Sequence, residues 1–240
     1  MKVLDLFAGT GGFSLGLERA GDFHTVAFCE INPYARKVLG KHWPGVPQYE
    51  DVTTADFSTL GPVDLVTAGF PCQDISFAGK GAGLAGERSG LFWHILRAAS
   101  LVGRPKLLLE NVAALLDRGM GAVLGALASF GYDAEWHCIP ASYVGAWHKR
   151  DRVWIFANPN EVGCEGRTKG PILGQSDLSQ QLVRGFEKWP GRSNLPASRF
   201  CRANDGVPNR VDRLEACGNA VVPIVPEIWG YAILKSLISG

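Results

Sequence analysis

Four short stretches put reactive side chains where strand and helix packing would ask for none. In GFPCQDIS, Gly69 to Ser76, Cys72 follows a proline just past an apolar run. A thiol there is partly exposed and able to act as a nucleophile, although without activation only a small share ionises near neutrality. In LLLENV, Glu110 and Asn111 end another apolar run. Partial desolvation of such a carboxyl pushes its pKa upward, so that it can donate a proton at neutral pH. In HKRDRVWIF, the residues His148, Arg150 and Arg152 alternate. In an extended segment the three share one face, with Lys149 and Asp151 on the other. That pattern suits either an edge strand blunted by charge or a fork of donors aimed at a base or a phosphate. In DLFAGTGGF, Gly9, Gly11 and Gly12 stand between a strand and a helix. Glycines there let backbone approach a ligand, and the helix start offers unpaired N–H groups. An acid, Glu30, follows about twenty residues later, where ribose hydroxyls are commonly bound. The full GxGxxG fingerprint is absent, which favours a nucleoside without a pyrophosphate, such as S-adenosylmethionine, over NAD.

The elements that must hold these groups alternate. Lys2 to Phe7, Thr25 to Glu30, Val63 to Phe70, Lys106 to Val112 and Arg152 to Ala157 read as strands. GFSLGLERAG, YARKVLGKHW behind Pro33, Gly90 to Gly103 and AVLGALASFG read as helices. This order predicts an α/β fold with a mainly parallel sheet covered by helices, and ligands beyond the carboxyl ends of its strands. The texture changes after Asn158. From there to about Asp205 there is little periodicity and much glycine, proline, serine and glutamine, over too long a stretch for a connecting loop. Helical periodicity returns in IVPEIWGYAILKSLI. The expected division is 1–157 as catalytic and cofactor-binding domain, 158–204 as a short irregular region, and 205–240 as a return to the first domain.

Composition sets outer limits. Of 240 residues, 46% are hydrophobic and 20% charged, which suits a folded core and excludes global disorder. No apolar run reaches the roughly 20 residues of a membrane span. The N-terminus meets glycines and an acid before any leader-like run develops, which argues against secretion. The six cysteines form no CxxC and no zinc spacing with histidine, so no metal is expected. Net charge is +1, yet Arg184 to Arg213 holds seven basic and three acidic residues.

Taken in order, these motifs resemble the DNA (cytosine-5) methyltransferase family. DLFAGTGGF is similar to its cofactor motif, GFPCQDIS to its Pro-Cys loop, and ENV to its glutamate signature. HKRDR resembles its Gln-x-Arg-x-Arg motif, with His148 where glutamine is usual. RLEACGNAVVP, with Gly218, Asn219 and Val221, resembles its last motif. The resemblance covers 1–157 and about 205–240. It implies a Rossmann-like sheet of the S-adenosylmethionine-dependent methyltransferase type, with 158–204 as target-recognition region. It further implies Cys72 as nucleophile on cytosine carbon 6 and Glu110 as proton donor to ring nitrogen 3. Arg152 would hold the base's carbonyl oxygen, with Arg150 assisting. For the cofactor it implies Phe7, Gly9, Gly11 and Gly12 around methionine and adenosine, and Glu30 on ribose. Ile31 and Asp51 would meet adenine, Pro71 would line the sulfonium end, and Asn219 would close the pocket.

The substrate so implied is double-stranded DNA with the target base flipped out, as methyltransferases require. Arg184, Arg192, Arg199 and Arg202 are the expected DNA contacts. A cytoplasmic monomer, paired with a restriction endonuclease acting on the same site, fits this picture. A tRNA methyltransferase of the same chemistry and a catalytically degenerate DNA-binding subunit are the alternatives. Intact Cys72, Glu110 and Arg152 speak against the second.

Overall fold

The computed structural model describes residues 1–71, 90–144, 150–160, 171–173 and 219–238. Its centre is a seven-stranded sheet: β1 (Lys2–Leu6), β2 (His24–Cys29), β3 (Gln48–Tyr49), β4 (Leu65–Gly69), β5 (Lys106–Val112), β6 (Tyr132–Cys138) and β7 (Arg152–Pro159). The helices are α1 (Gly12–Ala20), α2 (Pro33–His42), α3 (Leu91–Leu101), α4 (Leu115–Arg118), α5 (Met120–Ser129) and α6 (Ile224–Ile238). Strand order is β3-β2-β1-β4-β5-β7-β6. β1 to β5 run parallel, whereas β7 is antiparallel to β5 and β6 is antiparallel to β7. The mainly parallel sheet expected from alternation is present. The order reverses around β1 and β4, and the crevice at such a switch point is where α/β sheets bind ligands.

Period-two alternation sorts the strand residues between two faces. On one, Leu4, Leu6, Leu107, Leu109, Val153 and Ile155 pack with Ile95 and Leu96 of α3 and Val123 and Leu127 of α5. On the other, Val3, Leu108, Trp154 and Phe156 pack with Leu17 of α1 and Ile228, Trp229 and Ile233 of α6. The C-terminal helix therefore lies against the first one. Two glycines make that contact close. A Cβ on Gly16 would run into the Pro223 carbonyl oxygen, and one on Gly230 would meet Ala20 Cβ at 2.6 Å.

β6 escapes a reading by hydrophobicity because it is an edge strand with a mixed sequence, YDAEWHC, that buries only Tyr132 fully. Its presence corrects the edge-strand reading of HKRDRVWIF, since β7 is flanked on both sides. Beyond Asn160, residues 171–173 of the irregular stretch are described next to this sheet. Leu173 is buried within the α1–α6 face, and the Glu135 carboxylate accepts from the backbone N–H groups of Ile172 and Leu173 at 3.0 and 3.3 Å. Part of the irregular stretch thus belongs to the core.

Between β1 and α1 lies a buried polar network. Ser14 and Thr67 hydroxyls each donate to the Asp5 carboxylate at 2.7 Å, and Thr25 donates to Ser14 Oγ at 2.8 Å. Full burial pushes Asp5 up to about 7, with the Thr67 and Ser14 bonds pulling partly back.

Candidate active site

The antiparallel insertion of β7 decides how the polar groups meet. Parallel strands present their carboxyl ends at one edge of the sheet. A strand inserted the other way presents its amino end there. Register pairs Gly69 with Glu110, Glu110 with Trp154 and Val112 with Arg152. Arg152 opens β7 opposite Val112, the last residue of β5, and so reaches the edge near which Glu110 stands. Glu110, Trp154 and Arg152 share a face by alternation. The result is an ion pair, Arg152 Nε to Glu110 Oε1 at 2.7 Å.

Glu110 is buried. Burial raises its pKa, and the positive charges of Arg152 and Arg150 only oppose that rise. The carboxyl is thus harder to ionise than a free glutamate although it sits beside a cation. Arg150 is half-buried and its own pKa is drawn down, mainly by burial. It adopts φ 31°, outside extended geometry, so simple strand alternation does not describe its placement. It nevertheless lines a small cavity together with Glu110, Arg152, Trp154, Ile139 and Val225.

Asn111 is a positioning contact for which the sequence suggested no role. Its Nδ2 donates to the Phe70 carbonyl at 2.9 Å, while its Oδ1 accepts from the Val112 N–H. That bond ties the end of β5 to the segment that leads out of β4 into Pro71. The available signal was a second polar residue closing an apolar strand. Pro71 is exposed at this edge. Cys72 and His148 lie outside the described residues, as do Arg184, Arg192, Arg199 and Arg202.

The other end of the same edge is made of backbone. Phe7, Gly9 and Gly11 take φ of 52°, 54° and 85°, so the chain leaves β1 through left-handed geometry that glycine adopts freely. Phe7 does so as a non-glycine residue and is half-buried. A Cβ on Gly9 would meet nothing within 4 Å, which leaves open space before its backbone. One on Gly12 would meet the Val221 carbonyl oxygen at 2.5 Å, so the return segment sits directly on the glycine turn. Asn219, two residues before Val221, is exposed.

The Glu30 carboxylate accepts from Gly9 N at 2.7 Å and from Asn32 N at 2.8 Å, bridging the glycine turn to the start of α2. Asn32 then caps α2, and Pro33 opens it. Ile31 is 66% exposed, an unusual position for a large apolar side chain between two ordered elements. It lines an open cleft of about 570 Å³ with Tyr49, Asp51 and Thr54. Hydrogen bonds from Thr53 lower the Asp51 pKa and keep it ionised. An apolar surface, a carboxylate and an acid-bridged glycine turn along one edge suit an adenosine moiety. The structure brings Glu110, Arg150 and Arg152 together, and Gly9 with Glu30, and Ile31 with Asp51.

Residues 1–188 match the family described as C-5 cytosine-specific DNA methylase. The Type II methyltransferase M2.BsuMI of Bacillus subtilis is 39% identical over 167 residues, covering 66% of this chain and 42% of that protein. M.NlaX of Neisseria lactamica is 34% identical over 218 residues, covering 83% of this chain and 69% of that protein. Among solved structures, the S. pombe Dnmt2 methyltransferase superposes with a TM-score of 0.60 at 22% identity, over 80% of this chain and 57% of that one. A putative DNA modification methyltransferase from an E. coli prophage gives 0.52 at 25% identity, over 66% and 47%. The chain spans 42%, 40% and 51% of three of its curated relatives.

Proposed function

This chain belongs to the C-5 cytosine-specific DNA methylase family, and we propose that it methylates carbon 5 of cytosine within a specific sequence of duplex DNA. The observation that carries this reading is the ion pair of buried Glu110 with Arg152, next to Asn111, which bonds the Phe70 carbonyl ahead of Pro71 and Cys72 in the chain. Such a pair recognises one edge of a pyrimidine. Glu110 donates a proton to ring nitrogen 3, which makes carbon 6 electrophilic. Arg152, turned by its Nε bond to Glu110, holds the ring carbonyl oxygen through its terminal amines, with Arg150 beside it. The Cys72 thiolate adds to carbon 6 and leaves carbon 5 electron-rich, splitting one difficult substitution into easier steps. S-adenosylmethionine, when bound, supplies the methyl group. A base then removes the carbon 5 proton, the carbon 6–sulfur bond breaks, and Glu110 recovers its proton from nitrogen 3.

The cofactor reading rests on fit. Phe7 and the turn from Gly9 to Gly12 give close backbone approach, Glu30 offers remaining lone pairs to ribose hydroxyls, and Ile31 with Asp51 suits adenine. Pro71 and Asn219 close the ends. We assign 1–157 and 205–240 to the catalytic unit, with Leu173 anchored on it. Within 158–204 lies the target-recognition region, where Arg184, Arg192, Arg199 and Arg202 contact DNA. The reading extends to a cytoplasmic monomer acting on the same site as a partner restriction endonuclease. The test is transfer of labelled methyl to duplex DNA and to tRNA, followed by bisulfite sequencing of the DNA. Methylation at one recurrent duplex sequence is expected. Labelling of tRNA alone would overturn the substrate, and labelling of neither would overturn the activity.

A further inference from the structure

The turn that carries Asp51 is held from behind by a residue no motif includes. Asp51 closes the turn on itself. Its Oδ1 accepts from Thr53 N at 2.8 Å and Thr53 Oγ1 at 2.7 Å, and its carbonyl accepts from Ala55 N at 2.9 Å. Among the described residues its Oδ2 has no hydrogen-bond partner. The carbonyls of Val52 and Ala55 accept instead from Arg97 Nη2, at 2.7 and 3.0 Å, across more than forty residues of sequence. Val52 and Phe57 are buried beneath the turn and Ala55 is half-buried, so these carbonyls are partly withdrawn from water. Removing a donor from such groups leaves an unmet acceptor, and donors that carry charge matter most. Arg97 stands on α3, whose Ile95 and Leu96 are fixed in the core. The clasp therefore ties a surface turn to a rigid helix.

We propose that Arg97 is a positioning residue for the adenine end of the cofactor, acting through Asp51. By clasping the Val52 and Ala55 carbonyls it holds the Asp51 turn beside Ile31, with Oδ2 presented to the exocyclic amine. The inference rests on the cofactor reading above.

The test is calorimetry with S-adenosylhomocysteine on the full chain as wild type, Arg97→Ala, Arg97→Lys, Asp51→Ala and the double Ala variant. Wild type should bind. Arg97→Ala and Asp51→Ala should each weaken binding by about tenfold, a charged hydrogen bond's worth. The double variant should lie within about twofold of the weaker single, because residues acting as one unit do not add. Arg97→Lys, keeping a cation at the carbonyls, should recover part of the loss. Methyl transfer to DNA at saturating S-adenosylmethionine should leave kcat of Arg97→Ala within about twofold of wild type, with KM for the cofactor raised. Additive losses near a hundredfold, or a fall in kcat matching the fall in affinity, would overturn the inference in favour of general loosening. Wild-type binding with Arg97→Ala unaffected would overturn it alone. No binding by wild type would defeat the cofactor reading first and the inference with it.

Discussion

The two ends of the reactive edge are built by different means. At the proposed cofactor end the parts are backbone: a left-handed glycine turn, two N–H groups on Glu30, and a return segment pressed on Gly12. At the proposed base end the parts are side chains: a buried carboxyl, an arginine on an inverted strand, and an asparagine tying two strand ends. The first end is shaped by what is absent, namely Cβ atoms. The second is shaped by charge taken out of water. A backbone-built site fails by steric intrusion and takes stability with it. A charge-built site fails by changing one atom and leaves the fold standing. The comparison predicts a different signature for damage at each end.

The largest effect belongs to the base end. Glu110→Gln keeps shape and removes the proton donor. Its kcat should fall by roughly 10²- to 10⁴-fold, as for other general acids, with an unchanged melting temperature and cofactor affinity. Steady-state kinetics beside thermal melting checks both halves. Wild-type kcat should also decline as pH rises through the elevated Glu110 pKa, because only the protonated acid donates. A near-normal Gln variant would place the two ends on the same footing and break the comparison.

At the cofactor end the expected loss is in stability. A Cβ on Gly12 meets a backbone oxygen at 2.5 Å, which cannot rotate away. Gly12→Ala should cost about 1–3 kcal/mol by overpacking. For a chain of this size that lowers Tm by about 2–4 °C for each kcal/mol. Gly9→Ala meets no neighbour and should be the milder change in folding, while its left-handed backbone still carries strain. Equal melting of the two variants would contradict the packing assigned to the return segment.

The smallest effect concerns the buried network of Asp5, Ser14, Thr25 and Thr67. Asp5 ionises near 3.8 when unfolded and near 7 in the fold, so the unfolded chain holds fewer protons between those values. Stability contributed by the neutral carboxyl is therefore present at pH 4 and lost as pH rises towards about 7. Asp5→Asn should remove that share of the decline. Denaturant midpoints measured from pH 4 to 8 would show a flatter curve for the variant, and parallel curves would argue against the burial effect.

Much of this was legible in the chain because parallel strands buried on both faces read as apolar runs. Lys2–Leu6, Leu65–Gly69 and Lys106–Val112 lie where such runs stand, and Glu110 and Arg152 break them visibly. The hairpin was not legible. β6 mixes Asp133, Glu135 and His137 with Trp136, since one of its edges faces solvent and few of its side chains are buried. Without β6, nothing in HKRDR announces that β7 runs backwards, and that inversion is what brings Arg152 to Glu110. Leu173 was hidden for a related reason. A single apolar anchor in a polar stretch has no periodicity to betray it, yet it is fully buried. Arg150 sits by φ 31° where alternation would have placed it by extension.

The central claim of the proposed function is that Cys72, following Phe70 beyond β4, which pairs with Glu110's strand β5, attacks carbon 6 of a flipped cytosine. A duplex carrying 5-fluorocytosine at the methylated position tests it directly, because fluorine cannot be removed as the carbon 5 proton is and the adduct persists. With S-adenosylmethionine present, the protein should become covalently joined to the duplex, and peptide mapping should find the link at Cys72. The Cys72→Ala variant should bind cofactor and form no adduct. A link at Cys29, Cys138 or any other cysteine, or an adduct that survives in the Cys72→Ala variant, would contradict the account.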